Sequence, residues 1–475
     1  MTQAPATAAH TMTIDGAAAE THAVLDVVDP ATGAVFAQAP DCTRDQLDAA
    51  FAAAERAYRT WRVDEDARRT ALRACAAALV ARAAEIGAVL TAEQGKPLAD
   101  AIREVHTGAA WLTYYAGLEV PREVIQDDER GLVEVVRRPL GPVAAITPWN
   151  YPLTLAFWKI APALRAGNTV VIKPSPYTPL STLLVAEILR DVLPAGVVNA
   201  VSGGDELGRW MTSHPAARKI SFTGSVATGK HVAAAAAPDL KRVTLELGGN
   251  DAAIVLDDAD PTAIASRVFW SAFQNNGQVC AAVKRVYVPE ALHDDLVEAL
   301  AEQAKAVRVG PGTQEGVQLG PVNNRPQYER VGELVADALA GGATAVAGGA
   351  PLDLGGDGYF FAPTILTGVA DGTRIVDEEQ FGPALPVIPY RDLDATVEHV
   401  NAGRFGLGGS VWSGDPDRGA EVASRLDVGT AWVNTHLALG PGQPFGGAKW
   451  SGIGVENGPW GLYGFTEPRV LHRAR

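Results

Sequence analysis

The sequence predicts an α/β fold, with a parallel sheet in one domain and a second α/β domain after it. Between residues 141 and 249, short apolar and β-branched runs alternate with helical segments. Continuous apolar strands separated by helices are typical of a parallel sheet covered on both faces. The alternation continues beyond Gly249, and 475 residues exceed one typical domain. We therefore expect two or three domains with sizeable cores.

The region before this alternation predicts a hairpin, three helices and an extended strand. The turn Asp29-Pro30-Ala31-Thr32-Gly33 separates short strands at 24–28 and 35–39. Alanine and leucine with interspersed charges predict helices at 43–62, 66–90 and 98–117. Residues 132–139 mix apolar and charged side chains, as a half-exposed strand does. Such a strand is a liability unless it pairs, often with another subunit.

The parallel sheet is expected to carry a ligand site at one edge. Its strands are predicted at 143–147, 169–173, 197–201, 219–222 and 243–247, and the second domain adds strands near 252–256 and 286–288 and a helix at 293–307. Polar residues follow several strands, among them Asn150, Ser175, Ser225 and Asn250. Ligands of such sheets bind at the carboxyl ends of the strands.

Composition and charge exclude several classes of function. The net charge of −15 argues against a nucleic-acid surface, which usually carries a basic patch, and against an anionic membrane surface. Three cysteines without a CxxC pair cannot form a disulfide framework and fit a reducing compartment. Cys42 and Cys75 are interpreted as core residues. No HExxH motif or paired CxxC spacing suggests a metal.

The N-terminus shows no targeting pattern. Residues 1–20 are rich in alanine and threonine, without a basic start or an apolar segment, so a frayed terminus is expected rather than a signal peptide. The most apolar long stretch, 75–90, is interrupted by Arg82 and Glu85, which argues against a transmembrane helix. We expect a cytoplasmic protein.

Cys280 is the first candidate for chemistry. It ends the run Phe273-Gln274-Asn275-Asn276-Gly277-Gln278-Val279-Cys280, a polar turn whose backbone N–H groups can point at an anion. A nucleophilic thiolate needs such an environment, because its pKa must fall from about 8.5 toward neutrality. Considered alone, Cys280 could equally be a buried structural cysteine.

Three other stretches are hard to explain by packing. An amide, Asn150, lies between two prolines in Thr147-Pro148-Trp149-Asn150-Tyr151-Pro152. A carboxyl group, Glu246, lies in an apolar strand in Leu245-Glu246-Leu247-Gly248-Gly249. Another acid begins the stretch Glu379-Gln380-Phe381-Gly382-Pro383. A glutamate in an apolar strand is costly unless it is paired or functional. Burial would raise its pKa toward the range of a general base. Asn150 could instead cap a helix or turn, and Glu246 could be a solvated strand-edge residue.

Together these stretches resemble the aldehyde dehydrogenase superfamily, in its NAD(P)-dependent, hydrolytic, non-CoA-acylating branch. Pro444-Phe445-Gly446-Gly447 supplies a fifth motif in the family's order, and the resemblance runs from about residue 25 to the C-terminus. It implies that Cys280 attacks an aldehyde, that Asn150 and the Cys280 N–H bind the oxyanion, and that Glu246 activates the water that hydrolyses a thioacyl enzyme. Glu456 matches a glutamate that the family can use as a proton relay.

The resemblance also implies a domain layout. A modified Rossmann cofactor domain would comprise 21–121 and 142–248. A second α/β catalytic domain would comprise 249–459, and its C-terminal part would return toward the first. A small β extension from 122–141 and 460–475 would join subunits into a homodimer or homotetramer.

The implied cofactor site uses residues at the strand ends. Lys173 would contact the adenosine ribose, Gly224, Ser225 and Gly229 would face the pyrophosphate, and Glu379 would bind the nicotinamide ribose beside Phe381. The remaining implied contacts are Thr147, Pro148, Trp149, Ser175, Pro176, Thr223 and Gly248. Pro176 stands where NAD-preferring members commonly have a glutamate that repels a 2′-phosphate. NAD is therefore expected, with NADP tolerated or even preferred.

The implied substrate tunnel is mostly apolar and aromatic. Its residues would be Tyr151, Thr154, Leu155, Trp158, Val279, Ala281, Leu439 and Phe445. Without an arginine, which a second carboxylate would require, the set favours a neutral aliphatic or aromatic aldehyde. An aminoaldehyde or betaine aldehyde stays open, because aromatic walls suit ammonium groups.

Three other classes of function compete with this interpretation. A CoA-acylating dehydrogenase generally lacks the base that Glu246 supplies. The other two are a Cys/His hydrolase that uses a distant histidine such as His436, and a scaffold that binds dinucleotide without turnover.

Overall fold

The computed structural model describes residues 10–475, and its N-terminal part combines short strands with a helical layer. The elements are β1 (Met12–Ile14), β2 (Ala17–Ala19), β3 (Val24–Asp29), β4 (Ala34–Pro40), α1 (Arg44–Trp61), α2 (Glu65–Ala81), α3 (Ala83–Gln94), α4 (Leu98–Gly117), β5 (Glu123–Asp128) and β6 (Gly131–Pro139). Helix α1 begins at a reciprocal capping box, in which Thr43 and Gln46 satisfy each other's backbone N–H groups.

The predicted single helix 66–90 is wrong, because the chain forms α2 and α3 with a 71° bend between them. Arg82 breaks the helix with φ −115° and ψ 20°. The bend allows both helices to pack against α4. No single helix within residues 10–475 is long and apolar enough to cross a membrane, and only the bent pair α2–α3 passes that test by length and composition.

The middle of the chain alternates strand and helix as predicted. The elements are β7 (Pro142–Ile146), α5 (Pro152–Ala166), β8 (Thr169–Lys173), α6 (Leu180–Arg190), β9 (Val198–Ala200), α7 (Asp205–Ser213), β10 (Lys219–Thr223), α8 (Val226–Ala236) and β11 (Arg242–Glu246). Strands β7, β8 and β10 are buried along their whole length, because helices cover both faces of the sheet.

The remaining elements build the second domain and then return to the first. They are β12 (Asp251–Val255), α9 (Pro261–Phe273), β13 (Val283–Pro289), α10 (Glu290–Ala306), α11 (Arg325–Ala340), β14 (Thr344–Ala347), β15 (Thr364–Thr367), α12 (Arg374–Asp377), β16 (Ala384–Tyr390), α13 (Leu393–Ala402), β17 (Gly408–Trp412), α14 (Pro416–Ala423), β18 (Thr430–Val433), β19 (Gly452–Ile453), α15 (Gly458–Tyr463) and β20 (Thr466–Ala474).

Four sheets organise these elements, of which the antiparallel pair β3-β4 is the smallest. The first has the order β19-β11-β10-β7-β8-β9-β1-β2 and is parallel from β11 to β9. The second has the order β14-β15-β16-β13-β12-β17-β18 and is parallel from β15 to β18. An antiparallel sheet, β20-β6-β5, joins the C-terminal strand to the middle of the chain. Strand β19 brings residues 452 and 453 back beside Glu246.

The frayed terminus expected for residues 1–20 is wrong for the part that the structure describes, since β1 and β2 extend the first sheet. Met12 is fully buried, and the Asp15 N–H donates to the Asn199 side chain over 2.9 Å. One edge of strand β9 offers backbone hydrogen-bond partners to β1, and the composition of residues 1–20 cannot reveal such a partner. Residues 1–9 lie outside the described residues.

Candidate active site

Two cavities meet at Cys280. The first, of about 870 Å³, opens at the carboxyl ends of the first sheet, and the second, of about 680 Å³, lies against α4 and α5. Asn150, Leu155 and Cys280 line both cavities. The predicted nucleophile therefore stands where a ligand in one cavity would face a ligand in the other.

A tight turn after α9 presents Cys280 at this junction. Asn275, Asn276 and Gly277 have φ values of 50°, 59° and 72°, in the left-handed region that asparagine and glycine tolerate best. A Cβ at Gly277 would lie 2.3 Å from the Gly382 carbonyl oxygen. The chain turns back here through three positive φ angles, and this turn explains why asparagine and glycine stand at these positions.

Asn150 is held beside this turn by its side chain and its backbone. Its Nδ2 donates to the Gln278 carbonyl over 2.9 Å, while its own carbonyl accepts from Lys96 Nζ at 2.9 Å and Asn275 Nδ2 at 3.0 Å. Within residues 10–475 the Cys280 N–H donates to no backbone or side-chain acceptor. The site thus offers a side-chain amide and an unbonded backbone N–H among the residues around the thiol.

The pKa of the Cys280 thiol is raised to about 12, mainly by burial. The charges of Glu246, Glu379 and Asp251 act in the same direction, and the Lys284 ammonium opposes them. The lowered pKa expected from the polar turn is therefore not found, because burial of the thiol, with the surrounding carboxyl groups adding to it, outweighs the opposing charge of Lys284.

Glu246 is the last residue of β11 and is only 3% exposed, which excludes a solvated strand-edge carboxylate. Neither carboxylate oxygen has a hydrogen-bond partner among the described residues. Burial raises its pKa well above the usual value, with a further rise from Glu456 and an opposing effect of Lys159. The predicted rise is confirmed. Glu246 lines neither cavity, but its charge is close enough to raise the pKa of Cys280.

A buried ion pair stands behind Glu246. Lys159 Nζ lies 2.6 Å from Glu456 Oε1 and 2.7 Å from Thr223 Oγ1, and both charged side chains are fully buried. The Ser221 hydroxyl also donates to Glu456 over 3.2 Å. Sequence reasoning identified Glu456 but missed Lys159, whose only sign is a charge in an otherwise apolar helix.

The first cavity collects most of the residues assigned to the cofactor. Pro148, Trp149, Thr223, Gly224, Ser225, Gly248, Glu379 and Phe381 line it, whereas Thr147, Lys173, Ser175, Pro176 and Gly229 do not. Lys173 is nevertheless the last residue of β8, next to the β7 end that carries Thr147. Burial lowers its pKa to about 8, against the charges of Asp205 and Asp41.

Glu379 is fixed at the floor of the first cavity. Its Oε1 accepts the Gly249 N–H at 2.9 Å and lies 3.6 Å from Lys284 Nζ. A Cβ at Gly248 would lie 2.1 Å from Glu379 Oε2, so only glycine leaves this carboxylate its place. Trp149 and Phe381 meet edge to face at 5.2 Å on the same wall.

The second cavity is lined by every residue assigned to the substrate, namely Tyr151, Thr154, Leu155, Trp158, Val279, Ala281, Leu439 and Phe445. Sequence reasoning missed Trp111 and Trp270, which lie in α4 and α9 outside the motifs, and Leu437, two residues before Leu439. Trp158 stacks on Trp111 at 5.9 Å and meets Phe445 at 5.3 Å.

The charges in this second cavity are already paired. Glu104 lies 2.5 Å from Lys96 in a buried ion pair, and Asp100 lies 2.7 Å from Arg103 at an exposed position. The cavity wall therefore presents aromatic and aliphatic surface, without an unpaired cation among its lining residues.

His436 is buried near the nucleophile but is bonded elsewhere. Its Nε2 lies 2.6 Å from the Ala281 carbonyl oxygen and 3.7 Å from Asp251. Burial lowers its pKa to about 3, so the ring is neutral and Nε2 donates to the carbonyl. A Cys/His pair would need a ring nitrogen on the thiol, but Nε2 is bonded to Ala281, and Nδ1 has no hydrogen-bond partner among residues 10–475, the Cys280 thiol included.

The chain is similar to known proteins along nearly its whole length. The aldehyde dehydrogenase family profile matches residues 17–471. The chain is 37% identical to a phenylacetaldehyde dehydrogenase of Pseudomonas fluorescens, covering 97% of this chain and 95% of that protein. It is 36% identical to an NADP-dependent succinate-semialdehyde dehydrogenase of Escherichia coli, covering 94% of each.

The fold is also similar to that of a solved structure. A betaine aldehyde dehydrogenase of Staphylococcus aureus in complex with NAD⁺ superposes with a TM-score of 0.94 at 32% identity, covering 98% of this chain and 97% of that chain. The family match spans nearly the whole sequence, and the structural match includes both α/β domains. The chain therefore belongs to the aldehyde dehydrogenase family.

Proposed function

We propose that this enzyme oxidises a neutral aromatic or aliphatic aldehyde to its carboxylic acid with NAD(P)⁺, through a thioacyl intermediate on Cys280. One observation carries the proposal: Cys280 stands at the junction of the two cavities, with the Asn150 amide bound to the adjacent turn and Glu246 buried nearby. Each of the three groups has a role that the others cannot supply.

The residues of the first cavity suit a dinucleotide. Glu379 would accept hydrogen bonds from ribose hydroxyls, and the glycine at position 248 leaves the room that its carboxylate needs. Trp149 and Phe381 would flank the nicotinamide, and Ser225 stands at the N-cap of α8, where a helix N-terminus favours a pyrophosphate. When bound, the oxidised nicotinamide accepts the hydride that leaves the aldehyde carbon.

The protein's own residues carry the rest of the reaction. The Cys280 thiolate forms a bond to the carbonyl carbon, and the electron pair moved to oxygen is stabilised by Asn150 Nδ2 and the Cys280 N–H. A donor of this kind is worth about 3–4 kcal/mol in the transition state. When the C=O bond re-forms with loss of hydride, a thioester remains on Cys280.

Glu246 then completes the turnover. Its carboxylate takes a proton from water, a C–O bond forms, and the C–S bond breaks to give the acid and the free thiolate. The sum is aldehyde, NAD(P)⁺ and water to acid, NAD(P)H and a proton. Glu456 and Lys159, joined at 2.6 Å behind Glu246, are placed to carry that proton away.

The substrate class follows from the second cavity. Trp111, Trp158 and Phe445 supply aromatic surface, while Lys96 is paired with Glu104 and Arg103 with Asp100. A dicarboxylic semialdehyde would have to take Arg103 from Asp100, at an exposed position where an ion pair contributes little. An aminoaldehyde or betaine aldehyde is the second candidate, because the same aromatic walls attract an ammonium group.

A single assay tests the reaction class. Purified enzyme is incubated with NAD⁺ or NADP⁺ and a panel containing phenylacetaldehyde, hexanal, betaine aldehyde and succinate semialdehyde, without CoA, and NAD(P)H absorbance is followed. Wild type should form NAD(P)H and acid with the neutral aldehydes, and Cys280→Ala should form none. Cys75→Ala, a buried cysteine remote from both cavities, is the matched control and should behave as wild type.

The outcomes separate the alternatives. A requirement for CoA would indicate an acylating dehydrogenase, and turnover by Cys280→Ala would remove the proposed nucleophile. Best turnover on succinate semialdehyde would overturn the substrate class. Absence of NAD(P)H with every aldehyde would favour a scaffold without catalysis. We further propose a cytoplasmic homodimer or homotetramer.

A further inference from the structure

Lys284, the second residue of β13, is a buried cation whose charge acts on the Cys280 thiol, and it has no part in the mechanism above. Its side chain is 3% exposed, and Nζ donates to the carbonyl oxygens of Val279 at 2.8 Å and Cys280 at 2.7 Å. An ammonium has a third N–H, and its nearest further acceptors are the Ala282 carbonyl oxygen at 3.5 Å and Glu379 Oε1 at 3.6 Å from Nζ.

We propose that Lys284 is a positioning residue for the Cys280 nucleophile: its ammonium orients the two peptide groups that flank Cys280 and favours the thiolate over the thiol. The inference rests on the proposed function, since it assumes that the thiolate and the Cys280 N–H act on an aldehyde. Two separate lines of geometry and charge support it.

The first is the planarity of the peptide bond. In a trans peptide group the C=O and the following N–H point in opposite directions. Because the Val279 carbonyl points at Lys284, the Cys280 N–H in the same plane must point away from the ammonium. That N–H has no acceptor within residues 10–475, which leaves it free for an oxyanion. Lys284 thus sets the direction of one of the two oxyanion donors together with the Ala282 N–H, which donates to the same Val279 carbonyl over 3.1 Å.

The second is the balance of charge around the thiol. This region holds four carboxyl groups, those of Glu246, Glu379, Asp251 and Glu456. It also holds the Arg285 guanidinium and the His436 ring. The ammonium of Lys284 opposes the carboxylates that disfavour the thiolate. Its removal would leave the carboxylates unopposed beside the thiol.

The test uses alkylation of Cys280, which needs no turnover. Below the thiol pKa the rate constant for iodoacetamide is proportional to the thiolate fraction, so one pKa unit changes it about tenfold. Rates are measured by intact-protein mass spectrometry at several pH values, with Cys280→Ala as blank. Lys284→Met should react at least about tenfold more slowly at every pH, and Lys284→Arg, which keeps the charge, should stay within about threefold of wild type.

The kinetic constants provide the second measurement. Lys284→Met should lower kcat about ten- to a hundredfold, with KM for the aldehyde within about threefold, because the transition state alone uses the oriented N–H. Lys241→Met is the matched control: that lysine is also buried, donates to the Thr212 carbonyl at 3.0 Å and touches neither cavity, so its loss should alter neither measurement.

Each outcome decides the inference. Equal alkylation and kcat in Lys284→Met and wild type would overturn it. If the methionine variant does not fold, Lys284→Gln, which keeps two donors without the charge, should be folded and react more slowly. Failure of both to fold would make Lys284 structural and overturn the inference as well. If wild type alkylates normally but oxidises no aldehyde, the proposed function fails while the effect of Lys284 on the thiol is still measured.

Discussion

At the scale of single residues, burial dominates the chemistry of the site. It raises the pKa of both Cys280 and Glu246, which disfavours the thiolate and the carboxylate in the free enzyme. Lys284 opposes the shift at the thiol, and Lys159 opposes it at the glutamate. Each reacting acid is therefore matched with a buried lysine.

Glu246→Gln should separate the two halves of the reaction. Thioester formation does not need the base, so NADH should appear in a burst of about one equivalent per site, followed by a steady rate about a hundred- to ten-thousandfold below wild type. Rapid-mixing absorbance measures the burst. Glu85→Gln, at an exposed glutamate, should leave both phases unchanged.

The same residue predicts the direction of the pH dependence. A raised pKa means that Glu246 loses its proton only at higher pH, so the rate of thioester hydrolysis should increase as pH rises through that pKa. Single-turnover hydrolysis in wild type should show this rise, and Glu246→Gln should lose it. A rate that falls with rising pH in wild type would contradict a glutamate base.

Pro176 should govern the choice of coenzyme. We expect wild type to prefer NAD⁺ over NADP⁺ by less than about a thousandfold, roughly 4 kcal/mol. Pro176→Glu should lower kcat/KM for NADP⁺ about a hundredfold and spare NAD⁺, because a carboxylate near Lys173 would repel a 2′-phosphate. Tyr177→Glu adds the same charge one residue further along and is the control. Equal losses of kcat/KM with both coenzymes in Pro176→Glu would contradict the prediction that residue 176 governs the choice of coenzyme.

At the scale of elements, one ion pair anchors the start of α5. Glu104 Oε1 accepts the N–H groups of Leu153 and Thr154 at 2.9 and 3.0 Å, which caps the helix, and its partner Lys96 binds the Asn150 carbonyl. A carboxylate at a helix N-terminus is favourable for both the free N–H groups and the helix dipole. The position of Asn150 thus depends on two residues from the helical layer.

Replacing one partner of the Lys96–Glu104 pair should destabilise the enzyme more than replacing both partners by apolar residues. Glu104→Gln leaves the Lys96 ammonium buried without its anion, at a cost of about 3–5 kcal/mol, and should lower the thermal midpoint clearly. The double variant Lys96→Met with Glu104→Leu should melt closer to wild type. Calorimetry at one scan rate makes the comparison. Asp100→Asn, in the exposed pair with Arg103, should change little, and a Glu104→Gln midpoint equal to wild type would refute the anchor.

At the scale of the whole molecule, the sheet β20-β6-β5 leaves apolar side chains outside. Val124 is 58%, Ile125 64% and Val470 62% exposed. If this sheet joins subunits, Ile125→Asp should reduce the mass in light scattering from an oligomer toward a monomer, because a buried charge is costly. Val63→Asp, at a 73% exposed valine between α1 and α2, should keep the wild-type mass. A monomeric wild type would contradict the prediction.

The sequence by itself determined the α/β class and the strands of the parallel sheet, and it singled out Cys280, Asn150 and Glu246 as candidates for chemistry. These depend on local patterns: apolar runs, glycine and proline punctuation, and charges that are out of place in an apolar strand. The helix 66–90 and the N-terminus show where local patterns fail, because a bend and an edge strand depend on distant partners.

Only the tertiary structure decided which charges surround the site. Lys96, Lys159 and Lys284 come from three separate segments, and each is ordinary until its burial beside Glu104, Glu456 and the Cys280 carbonyl is seen. Trp111 enters the second cavity from a helix that carries no motif. The physical reason is that desolvation and Coulomb energy depend on neighbours in space, which residues far apart along the chain supply.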